Sequence, residues 1–247
     1  MIITSRSNER VKSARALQDA KTRKATGLHL IEGDKLVFDA IASGARVRIV
    51  FAKKGAAGFD GIETIFVSDG VMDALCAAKT PQNLCAVVET PDAACPQAYP
   101  EGLLVVLDRL QDPGNVGTII RTADALGACG VLLSPDSADP FSSKALRAAM
   151  GSTYHLPIYI GSLEGELPKL IEQGFCCICG HLKGSETLPA ITKRTALVIG
   201  SEGQGVSDET AAFCTRYRMP MRGRAESLNA AVFAALMMQT IMNSMPC

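Results

Sequence analysis

The stretch that most restricts the fold is residues 103–107, Leu-Leu-Val-Val-Leu, closed by Asp108. An unbroken apolar run cannot be a half-exposed strand, because alternate side chains leave a pleated strand on opposite faces. It is stable only where both faces are covered, as in a parallel sheet between helix layers. Pro113, Gly114 and Asn115 follow, and then Val116, Ile119, Ile120 and Ala123 recur at helical spacing. The alternation goes on through the strand GVLLSP, the helix SSKALRAAMG, the strand HLPIYIG, the helix LEGELPKLIEQG and the strands FCCICG and ALVIG. A short helix SDETAAFC, a strand end YRMPM and the apolar helix LNAAVFAALMMQTIM complete it. The pattern predicts an α/β fold with a parallel sheet, in which ligands sit beyond the carboxyl ends of strands.

A shorter α/β alternation precedes it. LHLIEG, VRIVFAK, ETIFVS and NLCAVVET read as strands, and DKLVFDAIASG and DGVMDALCAA as helices. Residues 1–24 read as a basic helix, with Arg6, Arg10, Lys12, Arg15, Lys21, Arg23 and Lys24 against only Glu9 and Asp19. That face is either solvated or a phosphate contact. Pro91, Pro96 and Pro100 mark a linker over 89–102. The expected division is therefore 1–97 and 98–247.

Apolar residues make up 47% of the chain, enough to bury a core and too many for a disordered chain. Lys plus Arg and Asp plus Glu both number 25, so nucleic-acid contact would depend on local patches and not on net charge. No run approaches the roughly 18 apolar residues of a membrane span. With nine cysteines and no signal-like start, the expectation is a soluble cytoplasmic protein with no membrane partner. Cys176 and Cys179 have C-x-x-C spacing but lack a second pair, so they read as thiols packed in a strand, and no metal is expected.

Three loops at strand ends carry residues that packing does not explain. In the first, Asp112 or Asn115 can cap the helix and Pro113 suits its first turn. Arg121 lies off the apolar stripe. In the second, Gly200, Gly203 and Gly205 follow a strand and precede a helix, without the lysine of a P-loop or the order of a dinucleotide fingerprint. Glu202 in its middle repels phosphate and accepts hydrogen bonds from hydroxyl, amine or guanidinium. In the third, Met219-Pro220-Met221 ends a strand, Arg222 and Arg224 join Arg216 and Arg218 in a basic patch, and Ser227 suits an N-cap. Asn229, opening an apolar helix, needs a partner.

In this order the loops resemble the three motifs of the SpoU (TrmH-like) branch of the SPOUT superfamily, RNA ribose 2'-O-methyltransferases that use S-adenosyl-L-methionine. N-x-G-x-x-x-R stands as Asn115, Gly117 and Arg121; G-x-E-G as Gly200, Glu202 and Gly203; and the third motif as Met219, Pro220, Met221, Ser227, Leu228 and Asn229. Met219 replaces a commoner isoleucine. The resemblance covers about 103–243, and LIEGDKLVFDAIASG resembles the ribosomal-protein-like RNA-binding domain that often precedes it. It implies a parallel-sheet SPOUT catalytic domain with a C-terminal trefoil knot, a homodimer and a small α/β RNA-binding domain in front. It further implies that Gly180, Gly200, Gly203, Met219 and Leu228 line the cofactor pocket. Arg121, Asn115, Glu202, Ser227 and Asn229 would form the reaction site, with Asn115 orienting Arg121 or the substrate backbone and Glu202 fixing Arg121 or Asn229. Arg10, Lys12, Arg15, Arg222 and Arg224 would contact RNA. Ribosomal RNA is favoured over transfer RNA because of the added N-terminal domain. A non-catalytic RNA-binding assembly factor would keep the basic patches without needing the cofactor loops, and a nucleotide-binding oxidoreductase would need the fingerprint that is missing.

Overall fold

The computed structural model describes residues 2–56, 58–78, 80 and 82–246. Its elements sort into two units, Met1–Pro91 with Asp139–Tyr154, and Asp92–Ala138 with His155–Cys247.

The first unit holds β1 (Ile2–Ile3), α1 (Glu9–Ala16), α2 (Ala20–Thr26), β2 (Leu28–Glu32), α3 (Asp34–Ala42), β3 (Val47–Lys53), β4 (Glu63–Val67), α4 (Asp69–Leu75) and β5 (Leu84–Glu89). The sheet order is β1-β4-β3-β5-β2, with β5 antiparallel to both neighbours. Period-two alternation along β3 loads both faces. Phe51 packs with Val11 and Ala14 of α1 and Val71, Met72 and Leu75 of α4. Val50 and Ala52 pack on the other side with Leu36, Val37 and Ala40 of α3. The single helix expected over 1–24 is instead a short strand and two helices. Two caps break it: the Asn8 side chain accepts from the Arg10 N–H, and the Asp19 side chain accepts from the Thr22 N–H.

The second unit holds β6 (Gly102–Leu107), α5 (Pro113–Ala125), β7 (Gly130–Leu133), β8 (Ile158–Ile160), α7 (Leu163–Glu172), β9 (Cys176–Ser185), β10 (Arg194–Ile199), α8 (Asp208–Ala211), β11 (Thr215–Tyr217) and α9 (Ala230–Ser244). All pairs in its sheet are parallel, in the order β11-β9-β10-β6-β7-β8. Residues 103–107 are wholly buried on β6, as the unbroken apolar run requires. Leu104 and Val106 face a core with Leu132, Leu167 and Val198. The helices α5 and α9 pack on each other, and α9 also packs on β6 and β10. From β6 the chain runs outward to β7 and β8, whereas β10, β9 and β11 lie on its other side. The loops leaving β6 and β10 therefore meet at a topological switch point.

Two features depart from the sequence reading. Asp92 onward groups with the second unit, ahead of the expected boundary at 97. Tyr99 is 2% exposed, donates to Glu166 at 2.7 Å and packs edge-on to Tyr159 and Phe175, so this proline-bearing, largely exposed segment is anchored to the core of the second unit by that side chain. The segment 139–154, with α6 (Ser143–Ala149) and a 3-10 turn at Ser152–Tyr154, belongs to the first unit and not to the second. Leu146 is buried against Ile31, Val37 and Val88, contributing about 2 kcal/mol. The Arg23 guanidinium pairs with Asp139 at 2.6 Å, Arg147 pairs with Glu32, and Tyr154 hydrogen-bonds His29 at 2.6 Å.

Candidate active site

Asp108 ends β6 and Glu202 sits in the loop after β10, and these carboxylates fasten the two loops to each other. Asp108 is 3% exposed and accepts from the Ser207 N–H at 2.7 Å and from Arg109 Nε at 3.1 Å. Glu202 accepts in the opposite direction, from the N–H groups of Gln111 and Asp112, each at 3.2 Å. The two preceding amides are held as well, Arg109 N–H by Ser134 Oγ at 2.8 Å and Leu110 N–H by Ser137 Oγ at 3.2 Å. Four successive main-chain donors thus end on side chains from two other loops. Arg109 itself has φ 55°, a left-handed conformation that side chains other than glycine seldom adopt.

Asn115 joins the third loop to this pair. Its Nδ2 donates to Glu202 Oε1 at 2.8 Å, and its Oδ1 accepts from Asn229 Nδ2 at 3.2 Å. Asn229 Oδ1 accepts from the N–H groups of Ala231 and Val232, so Asn229 and not Ser227 is the N-cap of α9. Asp112 is the cap of α5, accepting from the Gly114 N–H at 2.7 Å, which frees Asn115 for the network. Burial pushes the Glu202 carboxyl up, but hydrogen bonds from Asn115 and from the main chain of Glu202, Gln111 and Asp112 outweigh it, and its pKa is lowered. Glu202 is therefore an anion bound by donors, not a proton acceptor near neutrality.

Arg121 is exposed and has no hydrogen bond or ion pair among the described residues. It follows Asn115 by six positions, about 9 Å along the helix and about 240° around it, so it leaves α5 from a different face. Glu202 and Asn115 bond each other and not Arg121, in contrast to the pairing expected from sequence. Ser227 is exposed, as are Arg222 and Arg224.

The proposed cofactor residues divide by surroundings. A Cβ at Gly200 would strike the main chain of Gly205 and Val206, so glycine is needed there to close the loop. A Cβ at Gly180 would strike the Phe233 ring of α9; Gly180 lies inside β9 and does not end it. Gly203 has open space around it. Met219 and Leu228 are half-buried, and no main-chain hydrogen bond from 219–228 is found among the described residues. An irregular segment with free donors, free acceptors and apolar side chains beside a parallel sheet fits an adenosyl group, whose base needs both.

In the first unit, Arg10 pairs with Glu63, and Lys12 pairs with Glu9 at 2.8 Å. Arg15 is exposed. Two of the three first-unit residues assigned to RNA, out of five in all, thus already hold carboxylates, one of them 53 positions away in sequence. Asp108, Ser134 and Ser137 were missed: an acid at a strand end and two loop serines have no local pattern that sets them apart.

A family model described as the SpoU rRNA Methylase family matches residues 102–239. The chain belongs to this family. An MRM3-like substrate binding domain model matches residues 8–86 of the same SpoU family member. The 23S rRNA (guanosine(2553)-2'-O)-methyltransferase RlmP of Bacillus subtilis is 34% identical over 245 residues, covering 95% of this chain and 96% of the relative. The solved AdoMet-bound rRNA methyltransferase of Sinorhizobium meliloti is similar at TM-score 0.88 and 32% identity, covering 98% and 97% of the two chains. The SpoU methyltransferase AviRb of Streptomyces viridochromogenes, solved with AdoMet, is similar at TM-score 0.83 and 26% identity, covering 96% and 97%.

Proposed function

We propose that this SpoU family chain is an RNA 2'-O-methyltransferase that uses S-adenosyl-L-methionine, acts on ribosomal RNA, and works in the cytoplasm as a homodimer. The observation that carries the reading is the Glu202–Asn115–Asn229 chain of hydrogen bonds, with Asn115 in the middle, which ties together residues of the three family motifs. Ribosomal RNA is favoured because RlmP and the Sinorhizobium enzyme match nearly the whole chain, N-terminal unit included. The homodimer rests on α9, where Val232 and Leu236 are each 48% exposed one turn apart, and on Arg121, which needs a site to act in. The trefoil knot rests on the path of the chain after β10, which goes out to edge strand β11 and returns as α9 against β6 and β10.

S-adenosyl-L-methionine supplies a methyl group already activated by a sulfonium. The main chain of Gly200, Gly203, Met219 and Leu228 would hold it, with Gly180 and Phe233 closing the wall. Arg121 meets the target ribose. A guanidinium stays protonated at neutral pH, so Arg121 serves as a fixed positive charge beside the hydroxyl, and an RNA phosphate takes the proton. Asn115, Glu202 and Asn229 set the loops in place, which is the orientation part of catalysis. Ser227, which is exposed, would meet the RNA.

The test is to map 2'-O-methyl marks across total RNA with and without the gene, and to titrate the purified chain with S-adenosyl-L-methionine by calorimetry. One ribosomal position should lose its mark, and the cofactor should bind. Unchanged marks on every RNA, or no heat of binding, would overturn the reading. A mark lost only from transfer RNA would correct the substrate.

A further inference from the structure

The first unit contains a cavity of about 210 Å³ lined by Glu32, Lys35, Leu36, Gln82, Arg147 and Met150, among others. Its volume equals roughly seven waters, room for one heterocyclic base and not for a base pair. Glu32 at its edge is already satisfied, by Arg147 and by the Ala78 N–H at 3.0 Å. The Asp34 carboxylate is likewise engaged, by Asn83 Nδ2 and the N–H groups of Asn83 and Leu84. What remains for a ligand is positive. Lys35 is exposed and has no partner among the described residues, and Arg147 keeps N–H groups beyond the one given to Glu32. The N-terminus of α3 adds nothing to this, because its Asp34 N–H already donates to Gln82 Oε1 at 2.7 Å, so the positive contact is left to Lys35 and Arg147.

Met150 supplies a second, independent mark. It is 42% exposed and has φ 51°, at the C-terminus of α6 where a glycine would sit without strain. A large apolar side chain held in that conformation and turned partly to solvent is unexplained by packing. Strain of this kind concentrates where a side chain serves a ligand.

We propose that this cavity receives one unpaired nucleotide of the RNA substrate, its base against Leu36 and Met150 and its phosphate on Lys35 and Arg147. Recognition of splayed-out bases from loops is how RNA sequence is ordinarily read. The site rests on the RNA methyltransferase reading, and it places an RNA contact of the first unit on α3 and α6, apart from α1, where Arg10 and Lys12 are paired with carboxylates.

The experiment uses full-length parent, Lys35→Ala and Met150→Gly. Each is titrated by fluorescence anisotropy against a labelled RNA hairpin with an eight-nucleotide mixed-sequence loop, and against the fully paired duplex of the same stem. Met150→Gly suits the left-handed backbone, so its fold should not suffer. The parent should bind the hairpin at least about ten-fold more tightly than the duplex. Met150→Gly should remove most of that preference, and Lys35→Ala should weaken hairpin binding and lower the salt slope by about one. Calorimetry should find the cofactor affinity of all three alike. Hairpin affinities of both variants within two-fold of the parent, or a parent with no hairpin preference, would overturn the cavity assignment. Methylation of RNA by the parent, scored beside these titrations, separates that result from failure of the enzymatic reading.

Discussion

Glu202 Oε1 accepts from Asn115 Nδ2 at 2.8 Å, joining residues 87 positions apart, one in the first turn of α5 after β6 and the other in the loop after β10. The bond explains an acid in a glycine-rich loop of a protein that handles a phosphodiester chain. The carboxylate is spent on donors of its own chain, two of them main-chain amides. Asp108 returns the favour from the other loop through Ser207. Two carboxylates, each reaching across, fix both loops more firmly than either could alone.

Glu202→Gln should lower methyl transfer at least ten-fold while destabilising the fold by only about 1 kcal/mol, since the pairs are solvent-exposed. The amide keeps one acceptor oxygen and turns two N–H donors toward other donors. The pH dependence has a definite sign. The folded carboxyl lies below its ordinary 4.5, so its contribution is whole above pH 4.5 and fades as pH falls through the lowered value. Thermal melts below pH 4.5 should show the parent losing its advantage over the variant. A constant difference from pH 7 to pH 3 would contradict this.

Asn229 has two tasks that substitution can separate. Asn229→Asp keeps the oxygen that caps α9 but cannot donate to Asn115, and it sets a second anion near Glu202. Its melting temperature should stay close to that of the parent while turnover falls. Asn229→Ala should lose both, with about 1 kcal/mol from the cap. Circular dichroism melts paired with methyl incorporation check the split. Equal turnover in Asn229→Asp and parent would leave Asn229 a cap only.

Much of this site was legible because its residues are conspicuous where they stand. A Pro-Gly-Asn turn after an apolar run, and an asparagine opening an apolar helix, call for partners. Which partner each takes was not legible. Asp112 wins the cap of α5 because it stands one residue before Pro113, and Asn115 is thereby left to bridge Glu202 and Asn229. The parallel sheet followed from residues 103–107, but the return of 139–154 to the first unit did not. That return depends on Leu146 meeting Ile31 and Val37, Arg147 meeting Glu32 and Asp139 meeting Arg23, all more than 100 positions earlier, and such pairings leave no periodic trace. The neutralised Arg10 was hidden for the same reason.

Arg121→Ala and Arg121→Lys should both leave the melting temperature within error, because the side chain is exposed and touches no partner among the described residues. Both should retain cofactor binding by calorimetry. Methyl transfer should fall by at least two orders of magnitude in the alanine variant, about 2.7 kcal/mol of transition-state stabilisation. Lysine should restore little of it, since a compact ammonium lacks the planar fork of donors. Mixing Arg121→Ala chains with Glu202→Gln chains tests the homodimer: if Arg121 acts on its partner's site, the mixed dimer regains one intact site and part of the activity. No recovery on mixing would place both residues in a site of one chain.

His29 gives the first unit a pH-dependent stability unrelated to catalysis. It is wholly buried and hydrogen-bonded to Tyr154 at 2.6 Å and to Thr90 at 3.1 Å. Burial drives its pKa from 6.5 down to about 4, with Asp139 opposing the shift and Arg23 reinforcing it. Between those values the unfolded chain carries a proton that the folded chain refuses, so stability rises with pH. The contribution is complete above pH 6.5 and is lost as pH falls toward 4, on the order of 3 kcal/mol in all. His29→Gln removes the titration while leaving a polar group for Tyr154 and Thr90. Urea unfolding at intervals from pH 7.5 to pH 4 should show the parent losing stability across this window more steeply than the variant, with the two curves converging on the acid side. Parallel curves would mean that His29 already carries its proton in the folded chain, against the apolar packing around it.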